Sequence, residues 1–174
     1  MLTISHMGVT EGFLGMISSP KARSEALKYM EEKNISALNK LISEYPESGD
    51  ALEKLRSLLL LSGSNDEIIK RLREMGADKK SLDELEEVVS VLDSDALRID
   101  FSVLGGMNYY NGITFRGYVK GVPESVISGG QYDKLMARMG KKAKAIGFAV
   151  YMDALEKLLE GRDEFNLDVA LVYD

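Results

Sequence analysis

Between Ser19 and Leu92 the apolar residues recur every three or four positions, and from Leu97 onward they alternate with polar ones. The first period is that of an amphipathic helix, the second that of a half-buried strand. The helical stretch divides at its own punctuation. Ser19 followed by Pro20 predicts an N-cap with proline at the first helical position, where its missing N–H costs nothing, and Ala22, Ala26, Leu27 and Met30 follow on one face. Ser36 is expected to cap a helix carrying Leu38, Leu41, Ile42 and Tyr45, which Pro46 stops. Ser48 or Asp50 opens the next, with Leu52, Leu55, Leu58 and Leu59 and a stop at Gly63. Two capping boxes, Ser64 to Glu67 and Ser81 to Glu84, head helices carrying Ile68, Ile69, Leu72 and Met75, then Leu82, Leu85, Val88, Val89 and Leu92. These stripes predict a bundle, and no repeated motif makes it a solenoid.

Strand signals flank this bundle. Met1 to His6 alternates weakly and suits a short strand, followed by a short helix from Gly8 to Ile17. After the bundle, Ile99, Phe101 and Val103 alternate with polar residues, as do Ile113, Phe115, Gly117 and Val119. Gly105-Gly106 and Asn111-Gly112 are expected turn or bulge points, so that these two runs form a hairpin. Gly121-Val122-Pro123 closes the second run and Val126 to Ser128 begins a third. Gly129-Gly130 leads into a helix from Tyr132 to Met139. A lysine-rich loop, a buried strand from Ala145 to Val150, a helix from Asp153 to Leu159 and a last strand from Asn166 to Tyr173 complete the pattern. The expected fold is α+β, an antiparallel sheet interrupted by helices: residues 1–18 and 97–174 form the sheet domain and 19–96 a helical insertion.

Composition narrows the functions. A chain of 174 residues that is 45% hydrophobic and 29% charged can bury a real core. The net charge of -6 argues against a broad nucleic-acid surface, and no nucleic-acid partner is expected. Without cysteine there is no disulfide, thiol nucleophile or cysteine-metal site. No signal-like N-terminus and no long apolar run are present, so no membrane contact and a cytoplasmic location are expected.

Candidate chemistry lies between Leu104 and Tyr132. Asn108, Tyr109 and Tyr110 fall at the expected hairpin turn, and Tyr132 follows two glycines that admit another backbone. Hydroxyls converging from two segments could hydrogen-bond a small polar ligand, although tyrosine is also an ordinary strand residue. Adjacent tyrosines point to opposite faces, and spacing does not say which of the pair faces a pocket. His6, the only histidine, cannot support a metal site alone. Gly-Gly-Gln-Tyr-Asp is neither a dinucleotide nor a Walker fingerprint. No cofactor and no metal are expected. Lys141, Lys142 and Lys144 read as a solvated loop, and Asp83, Glu84, Glu86 and Glu87 as a polar helix face.

Three elements, GGMNYYNGITF, SGGQYDKL and AIGFAVYMDAL, resemble in order and separation the C-terminal half of the class II histidyl-tRNA synthetase catalytic core. In that family an Arg-Gly-x-Asp-Tyr-Tyr element is followed by Gly-Gly-Arg-Tyr-Asp and by a third motif, Gly-Phe-Ala with Glu-Arg a few residues on. The resemblance implies a partial class II sheet with a helical insertion. It also implies a histidine pocket built from Tyr109, Tyr110, Gly129, Gly130 and Tyr132. Departures from the pattern bear on activity. Gly105 stands at the position of the arginine associated with amino-acid activation, Asn108 replaces the aspartate, Ala154 replaces the phosphate-clamping arginine, and Tyr151 replaces a small residue. Losing a donor that stabilises developing charge typically costs ~10²- to 10³-fold in rate.

A retained amino-acid pocket without these arginines resembles the regulatory subunit of ATP phosphoribosyltransferase, a synthetase paralogue. That likeness implies a non-catalytic chain in histidine biosynthesis. Its expected partners are the short-form catalytic subunit, histidine as feedback ligand, and further copies of itself in the full-length protein. The alternatives are a fragment of a divergent histidyl-tRNA synthetase, with ATP-dependent aminoacylation, and a stand-alone histidine-binding module. The abrupt start at a strand-like segment leads us to expect the family's dimerisation motif and second motif upstream of residue 1.

Overall fold

A computed structural model describes residues 1–102 and 110–156. The elements run β1 (Leu2–His6), α1 (Met7–Gly15), α2 (Pro20–Glu31), α3 (Ile35–Glu44), a 3-10 turn (Pro46–Ser48), α4 (Gly49–Leu60), α5 (Asn65–Glu74) and α6 (Lys79–Leu92). Then follow β2 (Leu97–Ile99), β3 (Ile113–Gly117), β4 (Ile127–Gln131), α7 (Asp133–Arg138), β5 (Ile146–Val150) and α8 (Met152–Glu156). Gly105, Asn108, Tyr109, the end of the expected helix to Leu159 and the expected strand Asn166 to Tyr173 lie outside the described residues.

The α+β expectation holds, with a five-stranded sheet in the order β2-β1-β3-β4-β5. The expected hairpin between the 97–103 and 113–119 runs does not form. β1 lies between them, parallel to β2 and antiparallel to β3. A parallel pair needs a long crossover, and helices α1 to α6 provide it between β1 and β2. β1 prevails as the neighbour of β3 because it offers five paired positions, Leu2 opposite Gly117 through His6 opposite Ile113. The ladder extends into the next turn, where the Met7 N–H donates to the Gly112 carbonyl at 2.9 Å.

One sheet face is apolar. Ile4, Leu97, Ile99 and Ile113 join Met7, Val9, Phe13, Leu38, Leu52, Leu55, Leu72 and Leu85 in a core between β1–β3 and the helices. Two expected caps are displaced. The Ser81 to Glu84 box gives way to Asp78, whose carboxylate accepts from both the N–H and the hydroxyl of Ser81 at 2.9 Å. Ser36 gives way to Asn34, whose side chain accepts from the Ala37 N–H at 2.9 Å. In each case a stronger acceptor sits one turn or less upstream of the expected serine, after a residue with positive φ, Gly76 or Lys33. Ser19 and the Ser64–Glu67 box cap as expected. Ser48 precedes α4 without a side-chain cap bond.

The strand expected to be buried at the end of the sheet is exposed. Among the described residues β5 is an edge strand, with Ile146 63% and Phe148 68% accessible, because the helices that cover β1 and β2 do not extend over it. Period alone could not distinguish an apolar run inside a sheet from one at its edge.

A tyrosine-lined face of the sheet as candidate functional site

The opposite sheet face is polar, and strand register sets its composition. One transverse row reads Ser5, Thr114, Gly130, Gly147, and the next Arg98, Thr3, Arg116, Ser128, Ala149. Ser5 and Thr114 share a buried 2.8 Å hydrogen bond between hydroxyls, which satisfies both without water. At the far end the Ser128 and Tyr151 hydroxyls lie 2.6 Å apart.

Tyr110 and Tyr132 reach this face from different segments. A side chain at Gly130 would lie 2.8 Å from Tyr110 Cδ1, so the ring of Tyr110 rests over a position that must lack a Cβ. A side chain at Gly147 would lie 2.9 Å from the Tyr132 hydroxyl. Gly130 and Gly147 are register partners, so the two tyrosines lie over neighbouring positions of one face. Gly129 opens the other way: a Cβ there would lie 2.6 Å from Phe115 Cζ on the apolar face and would run into the Gly147 carbonyl. The glycine pair is therefore divided, Gly130 clearing Tyr110 and Gly129 letting β4 and β5 close above Phe115.

Backbone ties fix both tyrosines. The Asn111 N–H donates to the Gln131 carbonyl at 3.0 Å, and the Ile113 N–H donates to Gln131 Oε1 at 2.8 Å, which anchors the chain directly after Tyr110. The Tyr132 N–H donates to the Ala145 carbonyl at 2.9 Å, while Asp133 Oδ1 accepts from the Ala145 N–H at 2.8 Å. Lys134 extends the clamp, its N–H donating to Asn111 Oδ1 at 3.1 Å and its ammonium to Glu11 Oε2 at 2.6 Å.

The position that the third motif would fill with arginine is closed. Ala154 is buried with Val122 and Val126. Beside it a cleft of about 360 Å³ is lined, among the described residues, by Glu124, Ser125, Tyr151, Asp153 and Ala154.

His6 is a positioning residue outside this face. It is buried; its Nδ1 accepts from the Gly8 N–H at 3.1 Å, so the proton resides on Nε2, which donates to Glu84 Oε2 at 2.9 Å. The imidazole thus caps α1 and links β1 to α6. Among the described residues no cluster of His, Cys, Asp or Glu could hold a metal ion, and no helix is long and apolar enough to cross a membrane.

Of the expected pocket residues, the structure brings Tyr110, Gly130 and Tyr132 together, turns Gly129 to the other face, and leaves Tyr109 outside the described residues, as it does Gly105, the position expected to have lost an arginine. Residue spacing did not single out Gly147, Thr114 or Ser5. Their signal was the polar phase of three strands, Thr3/Ser5, Thr114/Arg116 and Ser128/Gly130, which becomes one face only once register is known.

The fold and this face define a class II synthetase-like protein. The model for the histidyl-tRNA synthetase family matches residues 1–155, and the chain belongs to that family. It is 32% identical over 170 residues to the ATP phosphoribosyltransferase regulatory subunit of Geobacter sulfurreducens, a match covering 94% of this chain and 39% of that protein. Among solved structures it is similar to an ATP phosphoribosyltransferase regulatory subunit/histidyl-tRNA synthetase from Bacillus halodurans. That likeness has a TM-score of 0.77 and 26% identity, over 90% of this chain and 44% of the other. A chain of the ATP phosphoribosyl transferase complex from Thermotoga maritima shares the fold, with a TM-score of 0.67 and 18% identity over 87% of this chain and 53% of that one. The chain spans about two-fifths of the length of the curated relatives it matches.

Proposed function

We propose that this chain is part of a non-catalytic regulatory subunit of ATP phosphoribosyltransferase that binds histidine through Tyr110 and Tyr132, supports the short-form catalytic subunit and conveys feedback control. The carrying observation is the separation of two positions. The face that takes both tyrosines is built and pinned, while position 154 is an alanine packed between valines. Gly105, where the resemblance expects an activating arginine, points the same way in the sequence. A protein that bound histidine and activated it with ATP would need fixed cations around the transferring phosphate. Relatives carrying the regulatory-subunit name at about one-third identity add to this support.

Pocket membership in this proposal extends from Tyr110, Gly130 and Tyr132 to Gly147, with Tyr109 assigned from the motif alone. Residues 19–96 act as a helical insertion carried on the sheet domain. The test is a paired assay: the protein raises the rate of a short-form ATP phosphoribosyltransferase catalytic subunit and shows no histidine-dependent exchange of pyrophosphate into ATP. Exchange at synthetase-like rates would overturn the proposal.

A further inference from the structure

An amino acid brings two charges as well as a side chain. Tyr110 and Tyr132, placed over the Gly130–Gly147 pair, offer rings and hydroxyls that suit an imidazole, and neither can neutralise a carboxylate. A carboxylate taken from water onto a sheet needs a cation or several donors beside it. Strand register separates the cations near this face. Arg98 is exposed on β2, the strand farthest from β5, and its Nη1 donates to the Leu97 carbonyl at 2.8 Å. The Lys134 ammonium is taken by Glu11. Arg116 is placed differently: it lies half-buried on β3, the central strand, opposite Thr3 of β1 and Ser128 of β4. The Thr3 hydroxyl donates to the Arg116 carbonyl at 3.3 Å, so this bond and the ladders on both flanks fix the backbone from which the arginine extends.

The tyrosine floor occupies the next row of the same face. Thr114, two residues before Arg116, stands opposite Gly130. Successive residues on one face of a strand lie about 7 Å apart, a step comparable to the length of histidine from ring to carboxylate and within the reach of an arginine side chain. The row-mates of Arg116 are Thr3, Ser128 and, beyond it, Ala149, all small, so no bulky row-mate separates it from the glycine floor. Direction follows from charge. Past the tyrosines, among the described residues, Asp133 and Glu11 set two carboxylates against the cation of Lys134. A ligand carboxylate is repelled from that end and attracted toward Arg116. A guanidinium meets a carboxylate with two parallel hydrogen bonds, which fix orientation as well as balance charge.

Resting on the histidine reading above, we infer that Arg116 binds the ligand's α-carboxylate and makes this face select the intact amino acid. The probes are histidine and histidinol, which carries a hydroxymethyl group in place of the carboxylate. Calorimetric titration of the protein with each, in the wild type, Arg116→Gln and Arg116→Lys, tests this. The wild type is expected to bind histidine about 10- to 100-fold tighter than histidinol, the value of a hydrogen bond between charged groups. Arg116→Gln should abolish that preference by weakening histidine alone, with histidinol held within about twofold of its wild-type affinity. Arg116→Lys, which keeps the charge and loses the paired donors, should fall between the two. If the glutamine variant does not fold, the lysine variant decides, with the preference expected to drop at least about threefold. Equal affinity of the wild type for the two probes would overturn the inference and leave the histidine reading in place. So would a folded variant that keeps the full preference, or one that weakens both probes alike. Failure of the folded wild type to bind either probe would overturn the histidine reading, and this assignment with it.

Discussion

Gly129 and Gly130 are consecutive and chemically identical, yet a methyl group added to each would have different consequences. At Gly130 the added Cβ meets an aromatic ring edge as well as the Ile113 carbonyl, 2.8 Å from each. Gly130→Ala is expected to displace Tyr110 and to press on the β3 backbone, lowering both histidine affinity and the unfolding midpoint, measured by calorimetric titration beside thermal unfolding. At Gly129 the obstacles are the Gly147 backbone and Phe115, which belong to the ladder itself. Gly129→Ala should cost about 1–3 kcal/mol of stability, the range for overpacked sites, read from denaturant midpoints. His6 supplies a third contrast. A Cβ at Gly8 would run into Ser81 Oγ and lie 3.0 Å from the His6 ring. Gly8→Ala should therefore disturb the α1 cap and the Asp78–Ser81 cap together, and lower the unfolding midpoint more than Gly12→Ala, which meets nothing. The tyrosines were legible as candidates because residue type and motif order name them. The division of the glycine pair was not, since Gly-Gly reads alike on either face until β4 acquires neighbours in register.

Helix ends carry the pH dependence that the structure supports. The Ser64 backbone N–H donates to Glu67 Oε2 at 2.9 Å, and this bond, then the Ser64 hydroxyl near the carboxyl, with Arg71 nearby, hold Glu67 below the usual carboxylate range. The backbone and then the hydroxyl of Ser81 do the same for Asp78. Both groups bind protons less readily folded than unfolded. Their contribution is therefore complete above the unfolded carboxylate range and is lost as pH falls through the lower folded values. Helicity should hold from neutral pH to about 5 and fray at the starts of α5 and α6 only below about 4, followed by circular dichroism. Asp78→Asn should flatten part of that acid transition. A loss of helix centred near pH 6 would contradict this account. The stripes and stops of α2 to α6 were readable because helical period and capping are local. Which acceptor caps was less so, because Asp78 and Ser81 lie three residues apart and both fit the pattern; Asp78 accepts two donors from one residue. The exposure of β5 was not legible for the opposite reason, since coverage of a strand is a property of what lies beside it.

At the scale of the whole molecule, the sheet separates two tasks. Its apolar face and the helices make the core, and its polar face carries the tyrosines over the Gly130–Gly147 pair. The order β2-β1-β3-β4-β5 was not legible, because the first strand is separated from its neighbours by the entire helical stretch and nothing in 97–119 announces that another strand intervenes. Restoring the family's cation at position 154 should not restore chemistry: Ala154→Arg buries a charge between Val122 and Val126, and we expect a lower unfolding midpoint with no pyrophosphate exchange. The proposed function depends most directly on the pocket. Calorimetric titration of the chain with histidine, with and without ATP, should show saturable binding that ATP leaves unchanged and that Tyr110→Phe or Tyr132→Phe weakens by about 2- to 10-fold, the value of one lost hydrogen bond. No binding by the folded wild-type chain, or binding coupled to ATP, would contradict it.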